Sequence, residues 1–340
     1  MPSATTKPIR LALIGAGIFA REAHAPALAA LAEAFEVVAI FSRSAESAAR
    51  LNALLPAPAQ PYHDLPALLA RQDIEAVDIV LPIDVVPYAV EMALAAGKHV
   101  LSEKPMAPDV ATGRRLLATW AGVPDRVWMV AENYRYEQPF VKAAEIVASG
   151  GIGRPLACQW ALHVDMAPDN KYFQTAWRHT GTYQGGFVLD GGVHQIAALR
   201  MVVGEIAAVS AVASHVRPDL PPVDTLTAAL RFQDGAVGAY SITYAAGAPW
   251  FAPLDVVGEQ GALRVWEHEV ALTSGGETRS IPAPRYDGVR GELAAFAGAI
   301  RQGEAHRNTP QECLRDVAVI EAMLRSAESG QQVAVEGVSG

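Results

Sequence analysis

An apolar run at Ile9 to Ile14 stops at Gly15-Ala16-Gly17 and resumes as Ile18-Phe19-Ala20. The pattern reads as a strand, a tight turn and the first turn of a helix. Its Gly-x-Gly-x-x-Ala spacing suits a dinucleotide. Gly15 can take the positive φ of the turn, Gly17 lets backbone approach a pyrophosphate, and Ala20 lets the helix pack closely on the strand. Unpaired N–H groups opening the helix then face two phosphates. Glycine turns after apolar runs are common. The strand-to-helix context near the start of the chain is what gives this one meaning.

At 340 residues the chain exceeds one comfortable core, and about two domains are expected, with a division near Asn133 into residues 1–133 and 134–340. Apolar residues make up 51%, enough for both. No apolar run reaches the length of a membrane span, and the opening MPSATTKP has no hydrophobic signal region, so a cytoplasmic protein is expected. Cys158 and Cys313 lie far apart, without the spacing of a disulfide framework or a metal site. A formal charge of −9 with scattered Lys and Arg argues against nucleic acid or an anionic membrane as partner. Any phosphate site must be made locally.

After the turn a helix is expected through Glu33, with Pro26 kinking or restarting it. A second strand follows at Phe35 to Phe41. The residue at its end normally meets the adenosine ribose. An acid there holds the 2′-hydroxyl of NAD, whereas a cation and hydroxyls suit the 2′-phosphate of NADP. Ser42-Arg43-Ser44 stands there, with no acid until Glu46, which points to NADP(H); the competing reading has Ser42 capping the next helix and Arg43 solvated. The alternation continues through helix Ala45 to Leu54, an extended Gln60 to Tyr62, a helix after Asp64, strand Ala76 to Leu81, helix Val85 to Ala96, strand His99 to Ser102, helix Asp109 to Trp120 and strand Val127 to Ala131. Alternating β and α implies a parallel sheet, here of six strands.

Beyond Asn133 the rhythm changes. A helix at Gln138 to Ser149 is followed by strands with no helices between them: Pro155 to Val164, Ile206 to Val216, Asp224 to Phe232, Ala236 to Tyr244, Leu254 to Val257, Ala262 to Trp266 and Val270 to Thr273. Directly joined strands imply an antiparallel sheet. Two amphipathic helices, Val289 to Gln302 and Pro310 to Ser329, complete the α/β pattern.

Ligands of open α/β sheets sit at the carboxyl ends of the strands, where Glu103-Lys104-Pro105 falls. Lys104 can there donate to a substrate oxygen, and burial beside a cationic ring would lower its pKa; the bland reading is a solvated loop lysine. Glycine pairs at Gly185-Gly186 and Gly191-Gly192 bracket a second apolar run. If a helix opens near Gly191, Asp190 and His194 share its N-terminal end, where a histidine near an aspartate can relay a proton. Otherwise Asp190 is a helix cap and His194 a core residue. Between these stretches, the loop Asp165 to Gln184 carries Asn170, Lys171, Tyr172, Trp177, Arg178 and Tyr183. Its aromatic and polar content suits a sugar or another polyhydroxylated ring, or equally a subunit contact.

With these stretches in view, the chain resembles the glucose-fructose oxidoreductase, inositol dehydrogenase and rhizopine catabolism protein (Gfo/Idh/MocA) family over nearly its full length. The pieces that carry the resemblance are GAGIFA at Gly15, AAGKHVLSEKP ending at Pro105, AENYRY at Ala131, GGFVLDGGVH ending at His194 and the terminal ECLRDVAVIEAMLRSAESGQQV. The resemblance implies a doubly wound Rossmann domain followed by an α/β domain whose large, open, mostly antiparallel sheet mediates homo-dimers or homo-tetramers. It implies Lys104, Asp190 and His194 as the catalytic trio, with Pro105 in the cis form. The AREAHAPAL and KYFQTAWRHTGTYQGGFVLDGGVHQ stretches look most like an NADP-linked subgroup. Val86 stands where many members carry a histidine, and Ala197 replaces an aspartate often found three residues past the catalytic histidine, which argues against inositol as substrate.

The expected activity is hydride transfer between NADP(H), with NAD as the alternative cofactor, and a carbonyl or secondary alcohol of a sugar or related small molecule. Gly15, Gly17, Ile18, Phe19, Ser42, Arg43, Leu81, Pro82, Glu103, Lys104 and Asn133 are expected at the cofactor. Lys104, Tyr172, Trp177, Arg178, Asp190 and His194 are expected at the substrate, and no metal is expected. Two rivals remain: a nucleotide-sensing regulator that kept the fold and lost the chemistry, and a reductase of aromatic dicarbonyls or dihydrodiols.

Overall fold

The computed structural model describes residues 7–284 and 287–337; residues 1–6, most of the opening segment read above for a signal, lie outside them. The first half alternates as the apolar pattern predicts. Strand β1 (Ile9–Ile14) leads into a helical run over residues 18–30 that ends as α1 (Ala25–Ala30). Then come β2 (Phe35–Phe41), α2 (Ala45–Asn52), β3 (Gln60–Tyr62), α3 (Leu65–Leu69), β4 (Ala76–Ile79), α4 (Val86–Ala95), β5 (His99–Glu103), α5 (Val110–Ala121) and β6 (Trp128–Ala131). The six strands form one parallel sheet in the order β3-β2-β1-β4-β5-β6, with the order reversing beside β1. That reversal opens a crevice at the carboxyl ends of β1 and β4.

The first helix stops at Ala30 rather than reaching Glu33, and Pro26 acts on its start. Pro26 has no N–H to give the carbonyl of Glu22, and residues Ala20–His24 take a π-helical turn just before it. This turn buries His24 completely.

The second half begins with α6 (Gln138–Ala148), β7 (Pro155–Asp165) and α7 (Gly186–Val202). Strands β8 (Ile206–Ser214), β9 (Thr225–Phe232), β10 (Val237–Thr243), β11 (Ala245–Phe251), β12 (Leu254–Gly258), β13 (Gly261–Val265), β14 (Glu269–Ser274) and β15 (Glu277–Pro282) follow. The chain closes with α8 (Gly288–Gln302), α9 (Pro310–Ser329) and the short β16 (Val333–Ala334). The ten strands join in the order β15-β14-β13-β12-β7-β10-β9-β8-β16, with β11 also paired to β7. The sheet is mixed rather than purely antiparallel, because β10 runs parallel to β7 from Val237 opposite Ala157 to Thr243 opposite His163. The crossover through α7 separates β7 from the later strands, which lifts the hairpin constraint on its direction.

Helix α7 packs against α6, α9 and this sheet and is apolar nearly all round, as a helix buried on every side must be. Its Gly192 lets it approach Ile320 of α9. Arg200 of α7 and Arg135, which follows β6, both bind the buried carboxylate of Asp316 on α9 at 2.6–2.8 Å. Helix α8 turns back to the first sheet, where Leu293 and Phe296 join the core around Ile9, Leu11 and Leu13.

Candidate active site

The glycine turn adopts the geometry its sequence calls for. Gly15 sits at φ +115°, where a Cβ would be 2.1 Å from the carbonyl oxygen of Val80, so only glycine fits between β1 and the end of β4. A Cβ on Gly17 would meet no protein atom within 4 Å, and Gly17 faces a cavity of about 610 Å³. The helix that starts at residue 18 opens on the same cavity, presenting the N–H groups that have no intrahelical acceptor. Arg21, which no spacing argument had flagged, donates to the carbonyl of Ala16 at 2.7 Å and also lines the wall. An amide cradle with a cation beside it fits a pyrophosphate.

The cavity runs from this cradle in two directions. At one end it meets Phe41, Ser42, Arg43, Ser44 and Ser47. Ser44 caps α2, accepting from the Ser47 amide at 3.2 Å, whereas Ser42 accepts from the Ser44 amide at the same distance, so Ser42 is not the helix cap. His63 fixes this corner through the Ser42 carbonyl at 2.7 Å. Glu46, the nearest acid, pairs along the helix with Arg50 at 2.7 Å. Ile18, Phe19, Leu81 and Pro82 line the middle. Asn133 is not among the residues that line the cavity; it sits in a 3-10 turn with its amide 3.4 Å from Glu137.

At the other end the wall includes Lys104, Tyr172, Trp177, Arg178, Asp190 and His194, residues 86 positions apart in sequence at the extremes of one ion pair. The Lys104–Pro105 peptide is cis. Lys104 Nζ donates to Asp190 Oδ1 at 3.0 Å and to the Asp190 carbonyl at 2.8 Å. Burial alone would lower the ammonium's pKa, but the carboxylates of Asp190 and Glu103 outweigh it, and the net shift is upward. The protein's own groups thus hold Lys104 as a cation and donor. Asp190 is held well below the usual carboxylate range against the opposing effect of burial, first by Lys104 and then by Arg178, whose Nε donates at 2.7 Å. Arg178 reaches across from the long loop, stacked 4.1 Å over Trp177 and bonded to Thr175 at 2.8 Å. Lys171 of that loop pairs with Glu22 on the first helix, tying the loop over the cavity.

Helix α7 opens at Gly186, one turn earlier than the glycine pair at Gly191 indicates, with Gly185 at φ +72° preceding it. Asp190 is therefore not a cap. It and His194 lie one turn apart on one helix face, yet the aspartate serves Lys104 and Arg178 rather than the histidine. The partner of His194 is Glu132, whose Oε1 is 2.6 Å from Nδ1. Burial pushes the Glu132 carboxyl up, but His194 draws it down further, leaving it ionised. Tyr134 stacks on the imidazole with centroids 4.6 Å apart. Both residues sit in the AENYRY run, which contributes the histidine's support. Tyr244, from the end of β10, reaches the same wall; a Cβ at Gly191 would lie 1.9 Å from its hydroxyl, so that glycine admits the tyrosine.

A second polar group sits beneath. His24 lies between Asp78 Oδ2 at 2.7 Å and Glu103 Oε1 at 2.8 Å, while Glu103 Oε2 accepts the Lys104 amide at 3.2 Å. Among the described residues no group of three His, Cys, Asp or Glu side chains is arranged to hold a metal, and no helix is long and apolar enough to cross a membrane.

A phosphate cradle that shares its cavity with a lysine cation and an imidazole is the working surface of a dinucleotide-dependent oxidoreductase. Residues 9–130 match the family model for oxidoreductases with an NAD-binding Rossmann fold, and residues 140–264 match that for the GFO/IDH/MocA C-terminal domain. The chain belongs to the Gfo/Idh/MocA oxidoreductase family. It is 34% identical to the dehydrogenase FPY6 of Fusarium mangiferae, over 94% of this chain and 96% of that one. It is 27% identical to a dTDP-3,4-didehydro-2,6-dideoxy-α-D-glucose 3-reductase of Actinomadura kijaniata, over 95% and 97% of the two chains. The solved structure of an oxidoreductase from Thermotoga maritima superposes with a TM-score of 0.90 at 35% identity, covering 98% of this chain and all of that one at 100%.

Proposed function

We propose that the protein is an NADP(H)-dependent oxidoreductase interconverting a carbonyl and a secondary alcohol on a sugar or related small molecule. One observation carries this reading: a single cavity runs from Gly15 and Gly17 to Lys104, Asp190 and His194. When bound, the nicotinamide ring exchanges a hydride with the substrate carbon. Lys104, kept charged by Asp190, donates a hydrogen bond to the substrate oxygen and stabilises negative charge there. His194 exchanges the proton through Nε2, with Nδ1 held by the Glu132 carboxylate, which fixes the orientation of the ring. Arg178, Tyr172 and Trp177 orient the substrate from the loop. The Actinomadura relative, a reductase of a nucleotide-linked keto sugar by its name, supports the sugar class.

Incubating the protein with NADPH and a panel of aldoses, ketoses and simple aldehydes tests this. Oxidation of NADPH supports it, whereas a tight NADPH complex with no turnover on any of them favours a nucleotide-sensing regulator. His194→Ala should reduce turnover by about a hundredfold to a thousandfold while NADPH affinity stays nearly intact. Unchanged turnover would remove His194 from the mechanism.

The preference for NADP rests on Arg43, with Ser42, Ser44 and Ser47 beside it, and on the engagement of Glu46 with Arg50. Arg43→Ala should weaken NADPH at least tenfold and leave NADH little changed, as read by fluorescence titration. Equal losses would undo the assignment. Residues 1–133 then form the nucleotide-binding unit and 134–340 the substrate and assembly unit of a cytoplasmic homo-oligomer. Val212, Val237 and Val257, apolar residues exposed on the second sheet, support self-association through it.

A further inference from the structure

The second sheet and the helices over it line a further space of about 400 Å³ that shares wall residues with the substrate end of the main cavity. Tyr172, Gly191, His194 and Tyr244 line both spaces, so the imidazole stands at the doorway between them. Beyond it the walls change character. Phe140, Trp160, Leu162, Val164 and Ile242 line it, as do the half-exposed Phe251 and Trp266. Gln195 lies in the wall with its carbonyl oxygen taking the Tyr240 hydroxyl at 3.4 Å.

These walls select by chemistry. Gln195, Glu267 and the tyrosines Tyr134, Tyr172 and Tyr244 are the polar members of a lining that is otherwise mostly apolar, so a polyhydroxylated group pushed past His194 would bury part of its hydroxyls against Phe140, Leu162 and Ile242, at a cost that an apolar group does not incur. An apolar cavity of only about 150 Å³ already holds a benzene ring, so this one takes a ring-sized substituent with room to spare. We propose that the annex binds an apolar, ring-sized substituent of the substrate, attached next to the carbon that reacts, so that the preferred substrates are ketones or secondary alcohols carrying such a group. The proposal rests on the assigned role of His194 and narrows the substrate class of the same site.

Two α-hydroxyketones that differ only in methyl versus phenyl test it: hydroxyacetone and 2-hydroxyacetophenone. Each is titrated into the full chain with NADP⁺, with binding read from tryptophan fluorescence, since Trp160 and Trp266 line the annex. Reduction by NADPH is read separately. The phenyl ketone should bind at least tenfold more tightly. Val164→Trp, which puts a ring of its own into the annex, should abolish that advantage while NADPH affinity is retained. Phe251→Ala, a change at a half-exposed wall residue that leaves the core intact, should weaken the phenyl ketone several-fold and leave hydroxyacetone alone. Equal binding of the two ketones by the parent protein, or a phenyl advantage that survives Val164→Trp with NADPH bound normally, overturns the annex. The two readings fail separately. Turnover of sugars without a phenyl advantage sinks the annex alone. A phenyl advantage removed by Val164→Trp, without turnover of any carbonyl compound, upholds the annex and sinks the hydride-transfer reading.

Discussion

Lys104→Met should lower turnover about a thousandfold, equivalent to about 4 kcal/mol of transition-state stabilisation. NADPH affinity should change little. In the proposed mechanism the ammonium is the donor to the substrate oxygen as it gains charge, and Asp190 both aims it and keeps it protonated. A methionine of similar length fills the space without the charge. The fold should survive, because the Asp190 carboxylate keeps its 2.7 Å bond to Arg178 and is not left without a counter-charge. Lys104→Arg should not restore activity: its planar fork cannot place one donor on Asp190 Oδ1 and another on the Asp190 carbonyl as the ammonium does. Steady-state kinetics beside a fluorescence titration of NADPH separate the outcomes. Turnover within tenfold of the parent would show that the substrate oxygen leans on another group.

Much of the first half was legible because its signals are short in range. Each strand is a brief apolar run and each helix carries a nearby cap or stop, so six strands and their parallel direction follow from local pattern. The second half hides three strands. β11 carries Gly247 and Pro249, leaves its side chains largely exposed and pairs with β7 through a register break after Ala245. β15 is a polar edge with Glu277 and Arg279 and shows no alternation of burial. β16 is only two residues long.

At the site, the residues visible to motif reasoning were those next to glycines or prolines: Lys104 before Pro105, and Asp190 before Gly191. Their partners were not visible. Glu132 meets His194 across 62 positions, and no spacing rule connects them. Gly191 misleads in the opposite sense, reading as a helix start although it lies inside α7 and is small because the Tyr244 hydroxyl arrives there. An aspartate and a histidine four apart on one face look like a dyad. The long-range folding of the loop, which brings Arg178 to Asp190, assigns them to different partners.

His24→Gln should cost about 3–5 kcal/mol of stability and remove a pH dependence that the parent protein shows. Both nitrogens of this fully buried ring face carboxylates, Asp78 at 2.7 Å and Glu103 at 2.8 Å. A neutral imidazole has one N–H to give, so two carboxylate partners call for the doubly protonated ring. Burial opposes that charge, but Asp78 and Glu103 override it and raise the pKa well above its ordinary value. The folded protein therefore holds a proton that the unfolded chain releases above about pH 6.5. Below that pH the contribution is fully present. It is lost as pH rises toward the folded-state pKa, by up to about 1.4 kcal/mol per unit. Glu292, buried and also shifted well upward by its surroundings, acts in the same direction from a lower starting pH. On the acid side, Asp190 and Glu132 have lowered pKa values, so their contribution disappears as pH falls through the carboxylate range. The unfolding midpoint in urea should thus decline from pH 6.5 toward pH 9 in the parent and decline much less in His24→Gln. Because Glu103 also accepts the Lys104 amide, the same variant should lose turnover at every pH where it remains folded. A parent protein whose midpoint rises or stays level across that alkaline interval would mean that the ring is neutral and that the buried cluster holds no proton beyond those the unfolded chain keeps.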